Sequence, residues 1–405
     1  MALLPVDDAL ELILADARTI ADIEHVPLHE AWGRIVAEPL IAMRDQPPFP
    51  ASAMDGYAVI AADTAEPGAT LRVIGESAAG HGFTGAIGRG ETVRIFTGAP
   101  VPEGADAILI QENARPLEKT MIEVIEPVQV GRFVRRAGLD FHRGETVIAK
   151  GAMLDAGRLT LAAAMNLPAL PVHRRPRVAI LATGDELVPP GADPRDDQII
   201  ASNSFGVAAI VREAGGEPID LGIAADTLDG LNRSIDSAQA AGADILVTLG
   251  GASVGDHDLV RKVLESRGLE LAFWKIAMRP GKPLMSGRIG PMHVLGLPGN
   301  PVSSLVCSHV FLTPLIAKLV GRTHHVQAVD AILDVDLAEN DVRQDYLRAA
   351  MSRRADGTLV VRPATKQDSS MMRVFAEADG LVVRPPFAPA AKAGDTVRAI
   401  LLRRI

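Results

Sequence analysis

Between residues 177 and 320 the chain alternates apolar runs with segments of helical period, and few folds accommodate that pattern. The apolar runs are Val178–Ala182, Ile219–Ile223, Ile245–Leu249, Leu271–Ile276 and His293–Leu297. The helical segments between and after them are Ser204–Glu213, Leu228–Ala241, Asp258–Ser266 and Val302–Val320. Strands that are apolar throughout are buried on both faces, so the alternation predicts a doubly wound, mostly parallel sheet covered by helices. Composition agrees with this. Of 405 residues, 48% are apolar but only 3% aromatic, so the cores must be built from Ala, Val, Ile and Leu.

A chain of this length exceeds one ordinary core. Residues Val6 to Ile20 have helical spacing, with Asp7 and Asp8 suited to a helix N-terminus. From Met43 to Gly144 prolines and glycines are frequent and short β-rich runs such as Thr70–Ile74 and Thr92–Phe96 lie among them. Leu154 to Leu167 is helical again, so the flanks of this insertion are expected to pack together. From Gln327 to Ile405 short Val- and Leu-rich strands return. The expected class is therefore multidomain α/β. A helical linker domain spans 1–42 and 145–176, an inserted β-rich domain 43–144, a doubly wound domain 177–323, and a small, barrel-like β domain 324–405.

The formal net charge of −9 argues against a broad nucleic-acid surface, which needs a basic footprint. The single cysteine, Cys307, allows neither an internal disulfide nor a cysteine metal cluster, and reads as a buried thiol. The first residues do not resemble a signal peptide, and no uncharged apolar run reaches the ~18 residues of a membrane span. A soluble, cytoplasmic protein without membrane or nucleic-acid partners is expected. The segment GHGFTG at Gly80–Gly85 fits the GxGxxG pattern, but Glu76 to Ala79 is a poor strand and no helical segment follows, so it is set aside.

In an open α/β sheet, ligands bind beyond the C-terminal ends of the strands. Here those ends lead into TGDEL (183–187), ADT (225–227), GGASVGDHD (250–258), KIAMRPGKP (275–283) and LPGNPVS (297–303). Small residues let a ligand approach the backbone, where N–H groups converge on an oxyanion. Lys275, Arg279 and Lys282 add positive charge, and Glu186, Asp226 and Asp256 add hard oxygens that suit Mg²⁺ shared with substrate phosphates. Each loop alone reads more readily as a turn, Asp256 also reads as a helix N-cap, and for Asp258 the N-cap is the favoured reading; the functional reading rests on their convergence. In the inserted domain, QPPFPASAMDGYA (46–58) surrounds Asp55 with small residues, and FTGAP (96–100) carries Thr97. Both segments read equally as β-turns.

The ordered strings PPFPASAMDGYAV, FTGAPVPEGADAI, RRAGLDF, ATGDELVPPG, LGGASVGDHD, KIAMRPGKP and LPGNPVSS resemble the molybdopterin molybdenumtransferase family, which includes MoeA proteins and the gephyrin E domain. The resemblance spans the whole chain and implies an elongated homodimer. In it, the active site lies between the doubly wound domain of one subunit and the β-rich lid of the other. The implied reaction takes adenylyl-molybdopterin and molybdate with Mg²⁺, inserts molybdenum into the dithiolene, and releases AMP. It implies Glu186 and Asp256, assisted by Asp226, for Mg²⁺. Lys275, Arg279 and Lys282, with the Gly250–Gly251 and Gly299–Asn300 backbones, are implied for phosphate or molybdate oxygens. Asp55 and Thr97 would position the pterin or the attacking oxygen. Asp140, after Gly138, serves the same cluster or a hinge. Thr183, Gly184, Asp185, Ser253, Pro298, Pro301 and Ser369 complete the substrate-binding set. Two departures stand out: Ala252 in place of Val, and Ser370 where the family has Gly. The upstream adenylyltransferase and downstream molybdoenzymes are implied as partners. The competing functions are that adenylyltransferase, whose fold resembles residues 177–320 alone, and a non-enzymatic scaffold.

Overall fold

The computed structural model describes residues 3–118, 120–251, 259–322 and 328–403. Backbone contacts divide the chain into two compact units: Met1–Ile23 with His173–Ile405, and Glu24–Val172.

The first unit is built on a six-stranded sheet. Its strand order is Glu217–Ala224, Arg177–Thr183, Ile245–Leu249, Met292–Leu297, Met285–Ile289, Glu270–Trp274. The first four strands are parallel, as the continuous apolar runs require. Met285–Ile289 is a strand that periodicity misses, because Ser286, Gly287 and Arg288 break its apolar run. It pairs antiparallel with both neighbours, so Glu270–Trp274 again points the same way as the parallel four. All five expected strand-end loops therefore do leave from one edge. Apolar clusters cover both faces, one around Val178, Ile180, Val247 and Leu295, the other around Ala179, Leu181, Leu246 and Val294; this alternation along each strand is what a sheet buried twice demands.

The helix Val6–Ala15 packs Val6, Ala9 and Ile13 into the first of these clusters. It thus belongs to the sheet unit and not, as expected, with the segment 145–176. Its apolar stripe announces a buried face without naming the surface that buries it. The expected helix Val302–Val320 is Pro301–Cys307 and Thr313–Leu319 joined by one π-helical stretch, Ser308–Leu312. By length and composition Pro301–Leu319 is able to cross a membrane, but 78% of its apolar window is buried inside the protein, the placement of a core helix.

The C-terminal strands close a five-membered ring. Gln344–Arg353 pairs with Leu359–Pro363 on one side and with Gly380–Arg384 on the other, and Ala328–Leu333 and Thr396–Leu401 complete the circuit around Leu333, Val361 and Val382. Closure removes sheet edges, which a small β domain otherwise exposes. The short strand Met278–Arg279 pairs parallel with Gln344–Asp345 and ties the barrel to the loop that follows Trp274.

The second unit contains a six-stranded sheet in the order Ala107–Ile110, Gly56–Val59, Glu91–Ile95, Thr70–Ser77, Met121–Val124, Ala114–Glu118. Its two faces carry separate clusters, around Val59, Leu71 and Leu109 and around Ala58, Val93 and Ile108. The flanking residues form short strands and the helix Ala156–Ala164, N-capped by Asp155, around Phe141, Leu154 and Met165. The flanks of the insertion do pack together. A strand, Thr70–Ser77, precedes Gly80–Gly85 after all, but no helix follows it. The glycines there serve packing: a Cβ on Gly75 or Gly85 would strike the Phe83 ring, and one on Gly82 would strike Pro100.

Candidate active site

In the sheet unit the strand ends meet closely. Thr183 is 5% exposed, and its Oγ1 is buried with no hydrogen-bond partner among the described residues. Gly250 and Gly251 pass over it in the left-handed region, at φ +98° and +66°. A Cβ on Gly250 would lie 2.8 Å from the Thr183 carbonyl oxygen, and one on Gly251 2.3 Å from Val260 Cγ2. Glycine is therefore required twice over, by conformation and by space. The Gly250 N–H donates to the Leu297 carbonyl at 3.2 Å, so this amide closes the loop onto the next strand and is not free for an oxyanion, contrary to expectation.

The loop after Met292–Leu297 lies alongside. Gly299 is 3.7 Å from the Gly250 Cα, measured from the position of a Cβ, and its carbonyl accepts from Asn203 Nδ2 at 2.7 Å. The Pro298 carbonyl accepts from Ser304 Oγ at 2.6 Å. Asn300 and Pro301 open the helix Pro301–Cys307, where proline is tolerated because its missing N–H would be unpaired anyway. Asn300 does not cap that helix with its side chain; its Nδ2 donates to Ser369 Oγ at 2.9 Å, and the Ser369 carbonyl accepts from the Val302 N–H at 3.1 Å. Ser369, distant in sequence, is thus docked on this loop. Ser370 has no left-handed backbone. Its N–H and Oγ both donate to Asp368 Oδ1, so serine is accommodated at the position where glycine was expected.

The acidic group is less closed than expected. Asp185 Oδ1 accepts from the Asp226 N–H at 3.1 Å, and a Cβ on Gly184 (φ +144°) would meet the Glu186 carboxylate. Crowding by protein atoms, and after it the charges of Asp185 and Glu186, raises the Asp226 pKa above the usual carboxylate range. Ser253 and Asp256 lie outside the described residues. Among the described residues no group of three or more His, Cys, Asp or Glu is arranged to hold a metal.

The basic residues have separate settings. Lys275 has a left-handed backbone (φ +75°) and places Nζ 4.1 Å from the Trp274 ring centroid. Lys282 is exposed. Arg279, expected to bind oxyanions, donates instead to Asp345 and lies 3.4 Å from Asp341. Asp345 is 3% exposed, so this pair neutralises a buried charge of the barrel. The site contains an arginine that the sequence did not announce. Arg348 is 1% exposed and reaches the Asp368 and Tyr346 carbonyls, both at 3.3 Å, beneath the Ser369 loop. Burial pulls its pKa down to about 10. Alternation along its strand would mark such a position only as inward-facing.

In the second unit Asp55 and Thr97 are bonded directly. The Thr97 N–H and Oγ1 donate to Asp55 Oδ1 at 2.7 and 2.9 Å. These bonds, and the nearby Arg94, hold the Asp55 pKa below the usual range. Gly56 is forced by space, since a Cβ there would lie 2.1 Å from the Leu109 carbonyl oxygen. Arg94, also unannounced, stands 5.0 Å from the Tyr57 ring and 5.0 Å from the Phe96 ring and donates to the Gly56 carbonyl at 3.1 Å. Asp140 is exposed and joins the cluster through no bond among these; its N–H donates to the Gln46 carbonyl at 2.9 Å.

Residues 4–166 match the MoeA N-terminal region (domain I and II), residues 179–318 a probable molybdopterin binding domain, and residues 330–402 the MoeA C-terminal region (domain IV). The molybdopterin molybdenumtransferase of Haemophilus influenzae is 35% identical over 397 residues, which cover 98% of each chain. That of Bacillus subtilis is 32% identical over 99% of this chain and 94% of its own. Two solved structures of the molybdopterin biosynthesis MoeA protein from Pyrococcus horikoshii superimpose with a TM-score of 0.84 each. Their identities are 32% and 28%, and they cover 100% and 99% of this chain.

Proposed function

This chain belongs to the MoeA family of molybdopterin molybdenumtransferases, enzymes of molybdenum cofactor biosynthesis, and from that premise we propose that it inserts molybdenum from molybdate into adenylyl-molybdopterin with release of AMP. The observation that carries the reading is the convergence of Thr183, the Gly250–Gly251 turn, Pro298–Asn300 and Ser369 at one sheet edge, with a buried hydroxyl at its centre that has no partner among the described residues. A hydroxyl left unpaired in a folded interior costs free energy unless a ligand meets it.

The chain's own residues divide the work. Thr183 Oγ1 and Lys275 bind oxyanion oxygens, with Lys282 adding charge. Asn300 fixes Ser369, and Arg348 supports its loop. Asp55, held ionised by Thr97, accepts hydrogen bonds from pterin N–H groups and is too weak a base to abstract protons at neutral pH. Magnesium fits Glu186 and Asp226: Mg²⁺ uses one or two carboxylates beside substrate phosphates, and a carboxylate whose pKa is raised first by burial and then by the neighbouring Asp185 and Glu186 charges gains from a cation. When bound, it supplies positive charge against a breaking phosphoanhydride. We further propose a cytoplasmic homodimer in which Asp55 and Thr97 of one subunit complete the site of the other.

The test uses purified protein with adenylyl-molybdopterin, molybdate and Mg²⁺, reading AMP release and activation of a cofactor-free molybdoenzyme. Wild type is expected to do both, and Glu186→Gln and Asp226→Asn to lose AMP release while folding normally. Pterin binding by wild type without either reaction would overturn the proposal in favour of a scaffold.

A further inference from the structure

The indole of Trp274 holds two cations. Lys275 Nζ is 4.1 Å and Arg261 Cζ 4.7 Å from its ring centroid. Trp274 ends the strand Glu270–Trp274, at the sheet edge where the loops of the candidate site gather. The Lys275 backbone is pinned in the left-handed region, its N–H donating to the Leu284 carbonyl at 3.0 Å. Lysine is rarely found there, so this conformation persists because its surroundings impose it. Among the described residues no carboxylate lies within ion-pair distance of the Lys275 ammonium, whereas Arg261 is paired with Glu265 at 2.7 Å. Trp274 Nε1 is buried without a partner among the described residues. A buried, unpaired N–H is a cost that phenylalanine would avoid. What indole offers in exchange is the strongest cation-binding face of any side chain.

We propose that Trp274 is a positioning residue for Lys275, holding the ammonium at the sheet edge by its ring face so that the charge reaches substrate oxyanion unneutralised. A carboxylate would hold the lysine as firmly but would compete with the oxyanion for it. An aromatic face restrains a long, flexible side chain and leaves its net charge intact. The inference rests on the reading of Lys275 as an oxyanion ligand.

The test is calorimetric titration of the full chain with molybdate and, separately, AMP. Lys275→Met is expected to weaken binding of at least one of them. For that ligand, Trp274→Leu is expected to weaken binding roughly 2- to 30-fold, the range of a cation–π contact. The double variant should be no weaker than Lys275→Met alone, and Trp274→Phe, with a weaker cation-binding face, should recover only part of the affinity. Trp274 packs on the sheet core, so a second readout guards against misfolding of the leucine variant. The chain has two tryptophans, and in Trp32→Phe the emission reports Trp274 alone. It should change on binding, and this change should vanish in Lys275→Met. If Lys275→Met weakens neither ligand, the reading of Lys275 falls. If it weakens one but Trp274→Leu does not, or the two losses add, or Trp274 emission ignores binding, that reading stands and the positioning role is overturned.

Discussion

Asp55 keeps its charge largely through Thr97, whose N–H and hydroxyl both donate to one carboxylate oxygen. Thr97→Ala removes the hydroxyl but not the amide, so the Asp55 pKa should rise part of the way toward the ordinary carboxylate range, as read by carboxyl-carbon NMR titration. Since the pKa is depressed in the fold, stability from this charge is present above the ordinary carboxylate pKa and lost in acid, so the part supplied by the Thr97 hydroxyl should be missing from the variant at neutral pH, and its difference from wild type should close as pH falls through the Asp55 pKa. His293 works in the opposite sense. It is 7% exposed, and burial, reinforced by Arg288, lowers its pKa from 6.5 to about 4, while Asp16 and Asp244 oppose the shift. The unfolded chain binds the proton more readily than the fold does, so stability should fall as pH drops from 6.5 to 4 and be unaffected by this group above that window. The loss is at most about 3 kcal/mol. Urea unfolding at pH 7 and pH 5 should show it, and His293→Gln should flatten this part of the slope.

Among the elements, the short strand Met278–Arg279 has the largest consequence for its size. It carries the backbone pairing between the sheet's outer loop and the barrel, and Arg279 brings a counter-charge to the buried Asp345. Removing one partner of such a pair leaves the other charge uncompensated. Arg279→Ala should therefore destabilise the protein by about 1–3 kcal/mol, the partial exposure of the arginine reducing the full cost, as measured by urea unfolding. A residue that only bound oxyanion would leave the unfolding midpoint in place. The sequence shows this arginine as one of three cations in a loop. Its partner is invisible there because Asp345 lies 66 positions on and meets it only through strand register.

For the whole molecule, the proposed shared site has a genetic signature. Asp55→Asn and Glu186→Gln should each inactivate a homodimer, yet co-expressed in one cell they should form mixed dimers with one intact site. Activity near about a quarter of wild type is expected from random pairing, and none if each chain holds a complete site. Sedimentation should then give twice the 42.7 kDa chain mass.

Several features were legible before the fold was known: the parallel core strands, the edge where their loops gather, and the pairing of the insertion's two flanks. Strands buried on both faces must be apolar throughout, and turns at which backbone crowds backbone must be glycine; both demands are local and so leave marks in the sequence. Other features needed the third dimension. These are the strand Met285–Ile289, the attachment of Val6–Ala15 to the sheet, the docking of Ser369 on Asn300, the burial of Arg348, and the stacking of Arg94 between Tyr57 and Phe96. A residue's type and spacing determine that a side chain will be buried or charged. Which distant group meets it is decided by register and packing, where the free energy of each contact depends on atoms that are neighbours in space and strangers in sequence.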